Sequence, residues 1–347
     1  MIVVAVILIL NLATFDNTAR EVFSQFTPLR ISRGDSEDLK DGPPKLLLAY
    51  TGFFSGTLWD YIDRNSEPFC DYECVYSDNS SLISEASMVL FHGKDLNFEN
   101  PDQFPKLLSN QLSVYAIFES PIHTYDLHRL PKNYFDVLLS YDRKSDVVLP
   151  YDAFRKFKED DENPMNYTMW DQDEVRNQVS NKSELILQFV SNCETNSKRE
   201  RYIQEMRKYV NVTVVGGCKN STAKCDRSSK CEADLIRSHY FYLAFENSVC
   251  PDYVTEKFFR LKELIVPVVL KRSILDGIAP EGSFIAADDF KSPEELVAHL
   301  EETAANPARY FKLCEMAWKG VKTGKRDISR LWKSSACTSR YVERILG

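Results

Sequence analysis

The segment FYLAFENSVCPDYVTEKFFRLKELI (241–265) joins an apolar run, a polar loop and a periodic apolar and charged stretch. The spacing predicts a strand at 241–248 and a helix at 252–265, whose buried face is Val254, Phe258, Leu261 and Ile265. The other side carries Tyr253, Glu256, Lys257 and Arg260. In open α/β sheets ligands bind beyond the carboxyl ends of strands, which places Phe245 to Asp252 at a site. A helix start with exposed amides, and a lysine in its first turns, suits a pyrophosphate. Glu256 beside it can accept bonds from ribose hydroxyls. The plainer reading is an i,i+4 surface pair of Glu256 with Arg260, worth ~0.3–0.5 kcal/mol, next to a solvated Lys257.

The first half offers a candidate base. Glu119 follows the apolar run VYAIF and precedes Ser120-Pro121, and the proline restricts the backbone there. A carboxylate at a strand's carboxyl end can take a proton from an attacking hydroxyl; the plain reading is a loop carboxylate capping a turn. His92 and His123 are competing bases of second rank. Arg199 stands in a basic helix start with Lys198 and Arg201, a place where a charge is ordinarily solvated.

These residues need elements to hold them. LLLAYTGFF (46–54), SMVLFHG (87–93), VYAIFES (114–120) and FDVLLSYD (135–142) read as short buried strands. ELILQFVSN (184–192), NVTVVGG (211–217) and PVVL (267–270) read as a second set, with helices at 199–210 and 292–306. The first helix would bury Tyr202, Met206 and Tyr209, and the second opens with the Ser-x-x-Glu of a capping box. Strands alternating with helices imply an α/β fold with mainly parallel sheets, arranged as two Rossmann-like domains facing across a cleft. The expected division is an apolar segment at 1–15, a polar stem at 16–44, a first domain at 45–180 and a second at 181–347. The polar stretch 152–182 connects the halves.

Net charge is −8 and no basic stripe is present, which argues against a nucleic-acid partner. Cys218, Cys225 and Cys231 are too widely spaced for a zinc knuckle, so the nine cysteines read as disulfides with at least one thiol left over. Pairing stays open; a bridge from Cys70 or Cys74 to Cys337 would tie together the ends of the globular part. Sequons at Asn79, Asn166, Asn181, Asn211 and Asn220, with the apolar MIVVAVILILNLAT, point to the secretory route. The N-terminal segment then serves as a signal-anchor, or is cleaved to give a secreted form. The DQD at 171–173 would be a metal motif in a site, but it lies within the polar connection.

FYLAFENSVCPDYVTEKFF resembles the donor-binding signature of the α1,3-fucosyltransferases, glycosyltransferase family ten. IFESPIHTYDLHRL with LLSYDRKSDVVLPY, FVSNCETNSKRERYIQEM and SFIAADDFKSPEELVAHL are similar to other segments of that family, in the same order, so the likeness covers residues 45–340. The resemblance implies a GT-B architecture and transfer of fucose from GDP-fucose, with inversion, to a GlcNAc hydroxyl of a glycan. It also implies a Golgi-membrane enzyme with a lumenal catalytic domain acting on an N-glycan or another GlcNAc-bearing acceptor. By position, Glu119 is implied as the base, Glu256 as the guanosine ribose ligand and Lys257 as the phosphate contact. Asn247 and Tyr253 are implied as further donor contacts, and Arg199 as the cation that neutralises the pyrophosphate. No essential metal cofactor is expected, stimulation by Mn or Mg being left open, because Arg199 and Lys257 stand in for one. Tyr141, Arg143 and Asp146 fall in a family-like segment without assigned roles. The cysteine-rich stretch from Cys218 to Cys250 leans toward the branch acting on N-glycan cores. The competing readings are a GT-B enzyme with another nucleotide sugar and a catalytically silent glycan-binding protein.

Overall fold

The computed structural model describes residues 44–54, 56, 58–61, 74–100, 103–124, 129–152, 172–218, 221, 224–226 and 229–319. The apolar start, the stem, Cys70 and Cys337 lie outside them, as do the sequons at Asn166 and Asn220. Among the described residues no helix is long and apolar enough to cross a membrane. The chain divides into two compact units, one running to Pro150 and the other from Tyr151.

The first unit is built on strands β1 (Lys45–Ala49), β2 (Cys74–Ser77), β3 (Met88–His92), β4 (Leu112–Ile117), β5 (Val137–Ser140) and β6 (Val147–Val148), with a single-turn helix α1 (Leu58–Tyr61). All pair in parallel, in the order β2-β1-β3-β4-β5-β6. Strands covered on both faces read as unbroken apolar runs, and every residue of β3 and of β5 is buried. Leu48, Val89, Phe91, Tyr115, Phe135 and Leu138 form the core on one face. The strand order reverses between β1 and β3, and in such sheets that switch point is where ligands bind.

The second unit carries β7 (Glu184–Val190), β8 (Val212–Gly216), β9 (His239–Leu243), β10 (Val266–Val269) and β11 (Ile285–Ala286), all parallel, in the order β11-β10-β9-β7-β8. Its helices are α2 (Gln172–Ser180), α3 (Arg199–Met206), α4 (Lys230–Ser238), α5 (Pro293–Ala304) and α6 (Pro307–Lys319). One face of the sheet packs Val175 and Val179 of α2, Ile203 and Met206 of α3, Leu296 and Leu300 of α5 and Tyr310 of α6. The other face packs Ile236, Val254, Phe258 and Phe259. The two parallel-sheet units are the fold class expected from the sequence.

Residues 172–180, assigned by the sequence to the first domain, belong to the second unit, because Val175 and Val179, one helical turn apart, sink into its core. Helix α3 stops at Met206, earlier than expected. Its buried side is Arg199, Ile203 and Met206, while Tyr209 is exposed. Helix α5 begins as its sequence requires: the Ser292 hydroxyl accepts from the Glu295 amide at 3.2 Å, with Pro293 in the first turn.

The expected helix over 252–265 does not form. Residues 253–255 are irregular and 258–263 make a 3-10 turn. The backbone is left-handed at Asp252 (φ 59°) and again at Leu264 (φ 58°), which bounds the turn on both sides.

Candidate functional site

The switch point of the second sheet lies between β7 and β9, and the chemistry-bearing residues collect at their carboxyl ends. Immediately after the apolar run of β9 comes Glu246, buried to 3% exposure. One carboxylate oxygen, Oε1, accepts from the Thr255 amide at 2.9 Å and from the Thr255 hydroxyl at 2.7 Å. The other, Oε2, lies 2.9 Å from Lys257 Nζ. Thr255 is thus tied by both its amide and its hydroxyl to a side chain nine residues earlier.

The Lys257 ammonium donates to Thr255 Oγ1 at 2.9 Å and lies 3.5 Å from Glu256 Oε1. An ammonium has three protons, so this set uses all of them, the Glu256 contact being the longest. Burial pulls the Lys257 pKa down, but Glu246 and then Glu256 more than reverse this, and it ends above its ordinary value. The lysine is therefore a fixed cation rather than a surface charge. Glu256 and Arg260 are not the simple pair that their spacing allows. Arg260 bonds to Glu232 and lies over the rings of Phe189 and Tyr242, at 4.7 and 5.5 Å.

Arg199 is buried at 3% exposure, contrary to the solvated charge its basic neighbours suggested. Its Nη1 donates to the Phe245 carbonyl at 2.6 Å and its Nη2 to the Asn192 carbonyl at 3.0 Å. The guanidinium thus clips together the chain leaving β7 and the chain leaving β9. Ser197 ties the same two segments: its hydroxyl donates to the Glu246 carbonyl at 2.7 Å and its amide to the Asn247 carbonyl at 3.0 Å. A disulfide from Cys193 to Cys218 fastens the post-β7 loop to the end of β8, and a second joins Cys225 to Cys231. Cys250 is buried, and Cys314 is a buried free thiol. Asn247 is half-buried. Tyr253, expected on the open side, is buried at 2% with its ring edge-on to Tyr151. Asp173 of the DQD lies in the first turn of α2 and pairs with Arg176. Arg199, Asn247, Glu256 and Lys257 therefore gather around Glu246, a residue the sequence analysis did not single out. Its one signal is a carboxylate set directly against an apolar strand.

In the first unit, Glu119 is half-buried just beyond β4. The Ser120 hydroxyl meets His123 Nδ1 at 2.9 Å, and Thr124 Oγ1 donates to the Ser120 carbonyl, which fixes the turn that Glu119 enters. His92 ends β3, at the switch point. Its Nδ1 lies 2.6 Å from Asp95 Oδ2 and its amide donates to Thr51 Oγ1 at 2.7 Å. Burial lowers the His92 pKa, with the Asp95 hydrogen bond and the charges of Asp95 and Glu119 opposing it. His123 lies on the same edge, its carbonyl accepting from Lys94 Nζ. Tyr141 is buried and Arg143 exposed. Asp146 accepts from the Leu138 amide at 2.9 Å, a strand-bracing bond.

Comparison with known proteins matches both halves. Residues 179–340 fit the model of glycosyltransferase family 10 (fucosyltransferase), C-terminal part, and residues 42–152 fit that of the fucosyltransferase N-terminal part. The chain is 32% identical over 249 residues to alpha-(1,3)-fucosyltransferase fut-1 of Caenorhabditis elegans, covering 71% of this chain and 54% of that one. It is 32% identical over 322 residues to glycoprotein 3-alpha-L-fucosyltransferase A of Drosophila melanogaster, covering 89% and 59%. The chain thus spans little more than half the length of these two relatives. It is 30% identical over 311 residues to 4-galactosyl-N-acetylglucosaminide 3-alpha-L-fucosyltransferase FUT6 of Pongo pygmaeus, covering 82% and 80%. In fold it is similar to a crystal structure of an alpha1,3-fucosyltransferase with GDP-fucose, at a TM-score of 0.54 and 16% identity over 90% of this chain and 95% of that one.

Proposed function

Because the chain belongs to glycosyltransferase family 10, the fucosyltransferases, we propose that it transfers fucose from GDP-fucose to a GlcNAc hydroxyl of a glycan, in an α1,3 linkage and with inversion. The observation that carries this reading is the buried Glu246–Lys257 pair at the switch between β7 and β9, with Glu256 as the longest partner of Lys257. When Glu256 turns to the hydroxyls of the guanosine ribose, the third Lys257 proton is released to a phosphate oxygen. Arg199 adds positive charge from beneath, in surroundings where water screens it little. Asn247 and Tyr253 shape the same donor site.

In the reaction the acceptor oxygen attacks the anomeric carbon, the bond from that carbon to the phosphate oxygen breaks, and GDP leaves. The hydroxyl proton passes to the carboxylate of Glu119. Charge grows on the departing phosphate, so a cation fixed beforehand stabilises the transition state more than the ground state. In this reading Lys257 and Arg199 take the part that a divalent metal plays elsewhere. The enzyme works in the Golgi lumen, held by its apolar N-terminal segment, on an N-glycan or another GlcNAc-bearing glycan.

Product analysis tests the proposal. NMR of the glycan after incubation with GDP-fucose is expected to show one new α-fucosyl residue on O3 of GlcNAc. A β-fucoside, or transfer from a different nucleotide sugar in preference, would overturn it.

A further inference from the structure

The turn that follows β1 holds a bulky side chain where the backbone disfavours one. Phe53 and Gly56 exchange amide-to-carbonyl bonds at 2.9 and 2.8 Å, closing a tight turn. Phe54, its first central residue, has φ 48°. A positive φ at a large non-glycine residue is a true outlier and costs on the order of 1–3 kcal/mol. Hydrophobic burial does not explain it, because Phe54 is 45% exposed.

The strained residue is also held by designed contacts. Its amide donates to Asp95 Oδ2 at 2.9 Å, the same oxygen that meets His92 Nδ1. Its ring lies edge-on to His92, with centroids 4.7 Å apart, and to Phe53 at 4.9 Å. Phe53 in turn contacts Phe118, the neighbour of Glu119, at 5.5 Å. The whole group sits at the switch point between β1 and β3, where a ligand is expected on topology alone.

We infer that Phe54 is the stacking platform for a pyranose ring of the acceptor glycan, held at the edge of the first sheet to bring a sugar hydroxyl toward Glu119. An aromatic face carries negative potential, and the C–H face of a pyranose is both apolar and slightly positive, so the two surfaces match. His92 and Asp95 fix the platform, and the partly exposed Asp95 carboxylate beside it can accept from a sugar hydroxyl. The inference rests on the fucosyl-transfer reading for the meaning of "acceptor" and deepens it by naming a residue that selects that substrate.

The test uses the full chain with Phe54→Ala, Phe54→Trp and Phe54→Gly. Phe54→Ala is expected to raise the KM for a GlcNAc-terminated glycan about tenfold, the scale of one lost aromatic contact, and to leave the KM for GDP-fucose unchanged. Phe54→Trp should recover most of the loss. Phe54→Gly suits the positive φ and should melt no lower than the wild type while losing the acceptor as Phe54→Ala does. An acceptor KM within twofold of wild type in Phe54→Ala, or equal changes for both substrates, would overturn the inference. Should the wild type transfer no fucose, the transfer reading fails, and saturation-transfer NMR with the free glycan still decides the platform. Ring contacts present in the wild type and lost in Phe54→Ala support it; the same signal, or none, in both proteins overturns it.

Discussion

Glu246 and Lys257 form an ion pair, Oε2 to Nζ, at 2.9 Å, in which the glutamate side chain is 3% and the lysine side chain 21% exposed. Removing one partner of such a pair leaves the other charged and buried, which costs about 3–5 kcal/mol. Glu246→Ala should therefore lower unfolding stability by that amount. Glu246→Gln keeps an acceptor for Thr255 and should cost less, but it leaves Lys257 leaning on Glu256 and should raise the KM for GDP-fucose. Denaturant unfolding and donor kinetics on both variants check this. Donor KM values equal to wild type would show that the pair serves the fold alone.

Glu119→Gln preserves shape and removes basicity. If Glu119 takes the acceptor proton, kcat should fall by about 10²–10⁴-fold while calorimetry shows unchanged GDP binding. Turnover within a few fold of wild type would exclude Glu119 as the base.

The Cys193–Cys218 bridge closes a sequence separation of 25 residues and anchors the loop that presents Asn192 to Arg199 and Ser197 to Glu246. Cys193→Ser should cost about 3 kcal/mol by loop entropy and weaken donor binding as the loop loosens. The Cys225–Cys231 bridge closes only a short stretch, so Cys225→Ser should cost less and leave the donor KM alone. An identical stability loss in the two variants would contradict this ranking.

Acid should destabilise the protein before its carboxylates titrate. Burial lowers the pKa of His92 and of His239 below 6.5, against the opposing bonds to Asp95 and to the Leu235 carbonyl. A base depressed in the folded state leaves the unfolded chain holding more protons. Stability from these two groups is therefore full above pH 6.5 and is lost as pH falls through their folded values. Lys182 behaves likewise higher up. It donates to the carbonyls of Ile236, Arg237 and His239, and burial lowers its pKa from 10.5 to about 8, so its contribution rises as pH climbs from 8 to 10.5. Urea midpoints should fall from pH 7 to 5.5 and the slope should shrink in His239→Gln. A midpoint that rises on acidification would contradict the assignment.

Much of the fold was legible because its parallel strands are covered on both faces. MVLFH and VLLS announce themselves as apolar runs, and Ser292 with Glu295 marks the start of α5. The short β2, CVYS, and helices α4 and α6 gave weaker patterns and were not foreseen. The stretch after Asp252 misled for a physical reason. Val254, Phe258 and Ile265 are indeed buried, as a helical period predicts, but the backbone is left-handed at Asp252 and Leu264 with a 3-10 turn between them, and the bond from Thr255 to Glu246 is a tertiary contact that no local pattern encodes. Glu256, Lys257 and Asn247 could be picked out, yet Glu246, which organises them, could not. Its importance lies in its burial and its partners, and both exist only after folding. The carbonyl clip made by Arg199 is of the same kind.

The most direct measurement is GDP release by the purified protein given GDP-fucose and a GlcNAc-containing glycan, run beside GDP-mannose, UDP-galactose and UDP-GlcNAc. The account predicts release that requires the acceptor and occurs with GDP-fucose alone. Folded protein that releases no GDP from GDP-fucose with any glycan tried, or that releases nucleotide preferentially from another donor, would contradict it.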